Sequence, residues 1–202
     1  MERLKQTMRE IATHIIKATE ILDEEQIRKF IDILVTANKN RSKILVVGAG
    51  RSALVGKAFA MRLMHLDFDV YVMGETITPP VRNGDVVIAV SGSGRTQIVV
   101  TAASAARKMG AIVVAITSFK DSPLSRISNH VVIIPGRTKI ADEVDYFTRQ
   151  ILGIYEPLAP LGTLFEDTTM VFFDGIIVTL MKKLNVTERD MKNRHANVEY
   201  IG

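Results

Sequence analysis

Cysteine and tryptophan are both absent from the 202-residue chain, and the first absence excludes a good deal. Without a thiol there is no disulfide framework, no thiolate nucleophile and no cysteine-ligated zinc or iron–sulfur cluster; a cytoplasmic location is expected. Aromatic residues reach only 6%, too few to interleave with basic residues as a nucleic-acid-binding face requires. No stretch approaches the roughly 18 uninterrupted apolar residues of a membrane span. Met1 to Ile15 mixes Lys, Arg and Glu with apolar residues where a signal peptide needs an apolar core. Neither export nor membrane insertion is expected. A dominant charge is missing too: 26 basic and 22 acidic side chains leave a net charge of +4, with the signs interspersed. Basic residues gather only at Lys182, Lys183, Arg189, Lys192 and Arg194, which read as solvated helix charges. No nucleic-acid partner is expected.

What is present is a foldable core. Hydrophobic residues make up 47% and charged residues 24%, a globular balance, and the length suits one domain over residues 1–202. Residues 1–38 are expected to form N-terminal helices, 42–184 an α/β core, and 185–202 a C-terminal helix and tail. Ile11, Ile15, Ile16 and Thr19, then Ile27, Phe30, Ile31, Leu34 and Val35, recur at helical spacing. From Lys43 the pattern changes to short branched runs: Lys43 to Val47, Val70 to Val72, Asp85 to Val90, Ala111 to Thr117 and His130 to Ile134. Helical stretches alternate with them at Ser52 to Leu66, Thr96 to Met109 and Ser122 to Ile127. Five strands alternating with helices predict an α/β, doubly wound, five-stranded parallel sheet flanked by helices. The Gly74 to Gly84 connection, with Pro79 and Pro80, reads as a loop; Pro157 and Pro160 punctuate another. A long helix over Gly162 to Leu184 closes the core, and Thr187-Glu-Arg-Asp190 opens a last short one with a capping-box pattern.

One pattern occurs twice. Gly48-Ala-Gly50-Arg51-Ser52 and Gly92-Ser93-Gly94-Arg95-Thr96 both read Gly-x-Gly-Arg-Ser/Thr, each between a predicted strand and a predicted helix. Glycines allow the tight turn, and free amides at the helix start, backed by the helix dipole, favour an anion. The second loop adds hydroxyls from Ser91, Ser93 and Thr96, which suits a phosphate. The bland reading, in which these residues only cap and turn, loses weight because two such loops share the zone where open parallel sheets bind ligands. A rival stays open: Gly48-x-Gly50-x-x-Ala53 approaches the dinucleotide fingerprint, with Glu75 near the place of a ribose-binding acid. Gly56-Lys57-Ala58 is no Walker loop, since alanine cannot ligate magnesium.

The titratable candidates are few. His14 and His130 lie far from the loops and read as structural; His65 sits where a helix C-terminus attracts a histidine. His195 stands in the polar tail. Thr163-Leu-Phe-Glu166 is itself a capping-box pattern, which makes the bland role of Glu166 a helix cap. No histidine pair has metal-ligand spacing with a carboxylate, so no metal is expected.

The two glycine loops resemble those of the sugar isomerase (SIS) family. Phe59 to Leu66, Gly74-Glu-Thr76 with Thr78-Pro79, Pro160 to Glu166 and Arg194-His-Ala-Asn197 extend the resemblance to the 6-phospho-3-hexuloisomerases over nearly the whole chain. The resemblance implies interconversion of D-arabino-hex-3-ulose 6-phosphate and D-fructose 6-phosphate through an enediol, without a cofactor. It implies Glu166 as the proton acceptor, phosphate bound by Ser91 to Thr96, and Arg51 and Ser52 beside Gly50 reaching the substrate. His195 is similar in place to a catalytic histidine of arabinose-5-phosphate isomerase, although Ala196-Asn197 follows it here in place of Pro-Gly-Gly. The resemblance further implies a homotetramer or dimer with sites completed between copies, and hexulose-phosphate synthase as functional partner in the ribulose monophosphate pathway. Two readings of other classes remain open at this point: a sugar-phosphate-sensing domain without turnover, and a dinucleotide-dependent oxidoreductase.

Overall fold

The computed structural model describes residues 1–136 and 158–195; Pro157 and the tail from Ala196 onward lie outside the described residues. Two helices open the chain, α1 over Glu2–Ile21 and α2 over Glu24–Asn40. The Asp23 carboxylate divides them by accepting hydrogen bonds from the amides of Glu25 and Gln26, which caps α2. Then come β1 (Ile44–Gly48), α3 (Gly50–His65), β2 (Val70–Val72), β3 (Val86–Val90), α4 (Gln97–Lys108), β4 (Ile112–Thr117), α5 (Pro123–Ile127) and β5 (His130–Ile133). Among the described residues two helices follow, α6 over Thr163–Leu184 and α7 over Glu188–Asn193. The strands fall within a residue or two of their expected positions, and the capping box at Thr187 and Asp190 forms.

All five strands are parallel, in the order β2-β1-β3-β4-β5. The chain winds outward from β1 to β2, crosses back to β3, and continues the other way through β4 and β5. The point of reversal lies between β1 and β3. Their register pairs Gly48 with Val90, so the two glycine loops leave the sheet side by side and at one level.

Alternate side chains divide the core, as strand geometry requires. Val46, Ile88, Val114 and Val132 face α2, α3 and α6 in a cluster that contains Phe30, Phe59, Phe165, Phe172 and Phe173. Phe59 and Phe173 stack with ring centroids 4.0 Å apart. Val47, Val87, Ala89, Val113 and Ala115 face α4 and α5, where the α4 partners Val99, Ala103 and Ala106 are small and α5 adds Leu124. Helix α1 buries only Ala18 and packs along α6. Its Leu4, Met8, Ile16 and Ile21 are exposed. No helix among the described residues is long and apolar enough to cross a membrane.

Two histidines are structural parts of this core. His130 hydrogen-bonds through Nε2 to the carbonyl of Gln26 at 2.8 Å, and the Gln26 side chain accepts from the amide of Ile133, tying β5 to α2. Burial pushes the His130 imidazole below its ordinary range, and burial does the same to His65 at the end of α3, aided by Arg62 and His195. Both therefore fold neutral and take up protons more readily when unfolded. The stability they confer is present above the unfolded pKa of about 6.5 and is lost as pH falls from there toward the folded values. The urea midpoint should be level above about pH 7 and decline below about 6.5. His130→Gln should reduce that slope; an unchanged slope would remove His130 from the account.

Candidate active site

Helices α3 and α4 start beside the switch point with their first amides uncapped by side chains: neither Ala49 nor Thr96, at the two N-caps, supplies a side-chain hydrogen bond. The second loop is preformed. Ser91 is buried, its hydroxyl lies 3.0 Å from that of Thr96, and the Arg95 amide donates to the Ser93 hydroxyl at 3.2 Å. Gly94 turns the chain at φ +60° and packs so tightly on Ser122 that no Cβ fits. Arg95 is exposed at the loop's rim. In the first loop Gly50 turns at φ +56°, and Ser52 is half-buried in the opening turn of α3.

The expected capping box at Thr163 and Glu166 does not form. Gly162, not Thr163, is the N-cap of α6, and the Thr163 hydroxyl donates back to the Pro160 carbonyl at 2.7 Å. The reason lies in the preceding turn: Leu161 adopts φ 53°, and the Glu10 carboxylate of α1 accepts from the amides of Leu158 and Ala159. The helix starts one residue earlier than the box requires, which puts Thr163 inside its first turn. Glu166 is left to a different partner: Arg51 Nε donates to its Oε2 at 2.6 Å, while Arg51 Nη2 donates to Asp167 Oδ1 at 3.2 Å. The Glu166 side chain is only 12% exposed, against 60% for Arg51. The Glu166 hydrogen bond holds the Arg51 guanidinium above its ordinary pKa, against the effect of burial, and the charges of Glu166 and Asp167 add to it.

Phe165 locks this helix start to the second glycine loop. A Cβ on Gly92 would stand 2.9 Å from the Phe165 ring, and one on Gly136 would strike its Cβ and backbone. Thus Gly92, expected to serve a turn, also permits close approach. Glu166, Arg51, Ser52 and Ser91 to Thr96 are thereby brought to the carboxyl ends of β1 and β3, where an open parallel sheet forms its crevice.

His195 is not among them within a single copy. It lies with its ring centroid 5.1 Å from that of His65, at the far end of α3. From Arg51 to His65 the helix rises roughly 21 Å at 1.5 Å per residue. Arg194 and His195 thus lie against the body of the protein, at the end opposite the glycine loops. There Arg194 donates to the His65 carbonyl and pairs with Asp67 at 3.6 Å. Asp67 also pairs with Arg41 from the end of α2. A cavity of about 510 Å³ lies here, lined by Arg62, His65, Glu188, Arg189, Lys192 and His195. Glu75, the acid of the dinucleotide alternative, instead pairs with Lys57 at 2.6 Å. Sequence reasoning missed Asp167 and Glu10: a lone carboxylate on a helix carries no motif, and its partner lies more than a hundred residues away.

With the crevice in view, similarity to known proteins becomes interpretable. Residues 38–152 match the SIS domain. A protein from Aeropyrum pernix is 60% identical over 96% of this chain and 91% of its own. The 3-hexulose-6-phosphate isomerase of Bacillus subtilis is 34% identical, covering 94% of this chain and 96% of its own. A Methanococcus jannaschii crystal structure, for which a function of 3-hexulose-6-phosphate isomerase was inferred, superposes with a TM-score of 0.75 at 32% identity, covering 98% and 99% of the two chains. The chain belongs to the SIS domain family. Within that family it is an isomerase of the sugar-phosphate class.

If the Ser91 to Thr96 loop grips the phosphate, Ser93→Ala with Thr96→Ala removes two hydrogen bonds to a charged group. The Michaelis constant for a sugar phosphate should then rise about tenfold or more, while the thermal midpoint stays within a few degrees. An unchanged Michaelis constant in the folded double variant would exclude the loop.

Proposed function

We propose that the protein interconverts D-arabino-hex-3-ulose 6-phosphate and D-fructose 6-phosphate. The observation that carries this reading is the placement of Glu166: a largely buried carboxylate, relieved of any capping duty, held by Arg51 beside two uncapped helix N-termini. The relatives named 3-hexulose-6-phosphate isomerase supply the substrate. The phosphate rests on the amides and hydroxyls of Ser91, Gly92, Ser93, Gly94 and Thr96, with Arg95 at its rim. The sugar then extends toward Gly50, Arg51 and Ser52.

Moving the ketone from C3 to C2 requires four proton movements, two at carbon and two at oxygen. Glu166 takes the C2 proton, and the electron pair of that bond forms the C2–C3 double bond of an enediol as the C3 carbonyl oxygen gains a proton. The C2 hydroxyl then loses its proton, its electrons form the new C2 carbonyl, and C3 takes the proton back from Glu166. Such general-base transfer contributes roughly 10² to 10⁴-fold in rate. His195 serves the oxygens. Because α3 separates it from Glu166 in one copy, it comes from a second copy of the chain, in a homodimer or homotetramer. The exposed Leu4, Met8, Ile16 and Ile21 of α1 and Val171 and Val178 of α6 give such an assembly apolar surface to bury. No redox cofactor enters, and the enzyme works in the cytoplasm on the product of hexulose-phosphate synthase.

The test uses fructose 6-phosphate in deuterated water without added nucleotide. The wild-type chain should isomerise it and exchange its C3 proton, whereas Glu166→Gln should fold, bind and fail to exchange. Turnover only with NAD(P) would favour an oxidoreductase, and binding without turnover a sensing domain. In a second experiment, Glu166→Gln and His195→Asn chains are co-expressed. If sites are shared between copies, the mixed assembly should regain activity that neither variant shows alone; no recovery would confine the site to one chain.

A further inference from the structure

One side of α3 is apolar and faces solvent. Leu54, Lys57, Met61 and Met64 recur at spacings of three and four, which sets them in a single stripe, while Val55, Phe59 and Leu63 are buried in the core. Leu54, Met61 and Met64 are 63%, 45% and 42% exposed. Single exposed apolar side chains are ordinary on a surface, but three aligned along one helix form a patch. Lys57 completes the stripe with its charge already engaged: its ammonium pairs at 2.6 Å with Glu75, on the loop after β2, whose Ile77 is also exposed.

We infer that this face of α3 is where a second copy of the chain docks, with the two α3 helices antiparallel about a two-fold axis level with residue 59. The inference rests on the reading that His195 serves the Glu166 of another copy. Under that operation the stripe is its own complement. Positions 54 and 64 are equally far from 59, as are 57 and 61, so Leu54 meets Met64 of the second copy and the Lys57 stem lies over its Met61. Methionine adapts well to such a contact.

The same pairing completes the site. Glu166 and Arg51 mark one end of α3, and His65 with His195 the other, a helix length of roughly 21 Å away. In the antiparallel pair Arg51 falls level with residue 67 of the second copy, two positions past His65, across an interaxial distance of about 8–10 Å. The charges agree with this arrangement. At the His65 end Arg62, Arg189, Lys192 and Arg194 outnumber Glu188 and Asp67. At the other end Glu166 and Asp167 outnumber Arg51. Opposed helix dipoles also lie side by side. A parallel pairing would instead set the cationic ends together and leave each Glu166 as far from a His195 as before.

Because the chain has no cysteine, introduced thiols report only on each other. Positions 54 and 64 of one copy are about 15 Å apart along the helix, well beyond the ~7 Å between Cα atoms that a disulfide tolerates. Leu54→Cys/Met64→Cys should therefore oxidise mostly to a covalent dimer at micromolar concentration, whereas Leu54→Cys alone should stay single. If the disulfide geometry is unfavourable, a short bis-maleimide, unable to join the two positions within one copy, is read in the same way. Met61→Glu should keep its helical circular dichroism, show about half the wild-type mass in light scattering, and lose about tenfold or more in kcat on fructose 6-phosphate. A double-cysteine chain that stays single, or a single variant that cross-links equally well, overturns the proposal and leaves this face to another protein or to a different pairing. Failure of the shared site reads differently. A cross-linked dimer whose mixed Glu166→Gln and His195→Asn assembly recovers nothing supports the docking surface and overturns the sharing; recovery without a cross-link supports the sharing and overturns this surface.

Discussion

Phe165 has room for its ring only because Gly92 and Gly136 carry no side chain, and the geometry of the crevice follows from that contact. The residue is fully buried, joins the large core cluster and immediately precedes Glu166. Seating it fixes the start of α6 against the end of β3, at the height set by the Gly48–Val90 register. A Cβ at position 92 would stand 2.9 Å from the Phe165 ring and force the loop or the ring to move. A packing constraint in the core thereby becomes a positional constraint on the residue that follows, Glu166.

The two faces of the sheet divide the labour. Small side chains on α4 let that helix lie close to the sheet, so the loop that feeds it is short and tightly turned. The opposite face carries the phenylalanines and is thick enough to cover a helix as long as α6, which buries nine residues along its length. Close packing of this kind tolerates little adjustment. The crevice sits where the rigid layers meet, and its residues inherit their placement from both.

Most of the fold was legible because its signals are local. Short branched runs bounded by glycine marked the strands, and spacings of three and four marked the helices. The repeated Gly-x-Gly-Arg pattern showed where both loops would lie. What was not legible depends on pairs distant in sequence. Thr163 and Glu166 have the spacing of a capping box, and only the turn at Leu161, held by Glu10, decides that the helix begins elsewhere. Similarly, His195 and Glu166 both carry the family resemblance, yet nothing in their spacing shows that α3 stands between them.

The two ends of α3 are secured by different forces. At the glycine-loop end, Glu166 is largely shielded from water and Phe165 is locked by packing. At the other end, Asp67 gathers Arg41 from α2 and Arg194 from the tail, both through ion pairs open to solvent. Mobile ions screen such pairs, with a Debye length of about 10 Å at 0.1 M and about 3 Å at 1 M. Rising ionic strength therefore weakens the pairs around Asp67, and it screens the half-exposed Arg51 at the other end in part, but it leaves the packed seat of Phe165 in place. Salt thus acts on the charged contacts at both ends of α3, while one end keeps an anchor that salt does not reach.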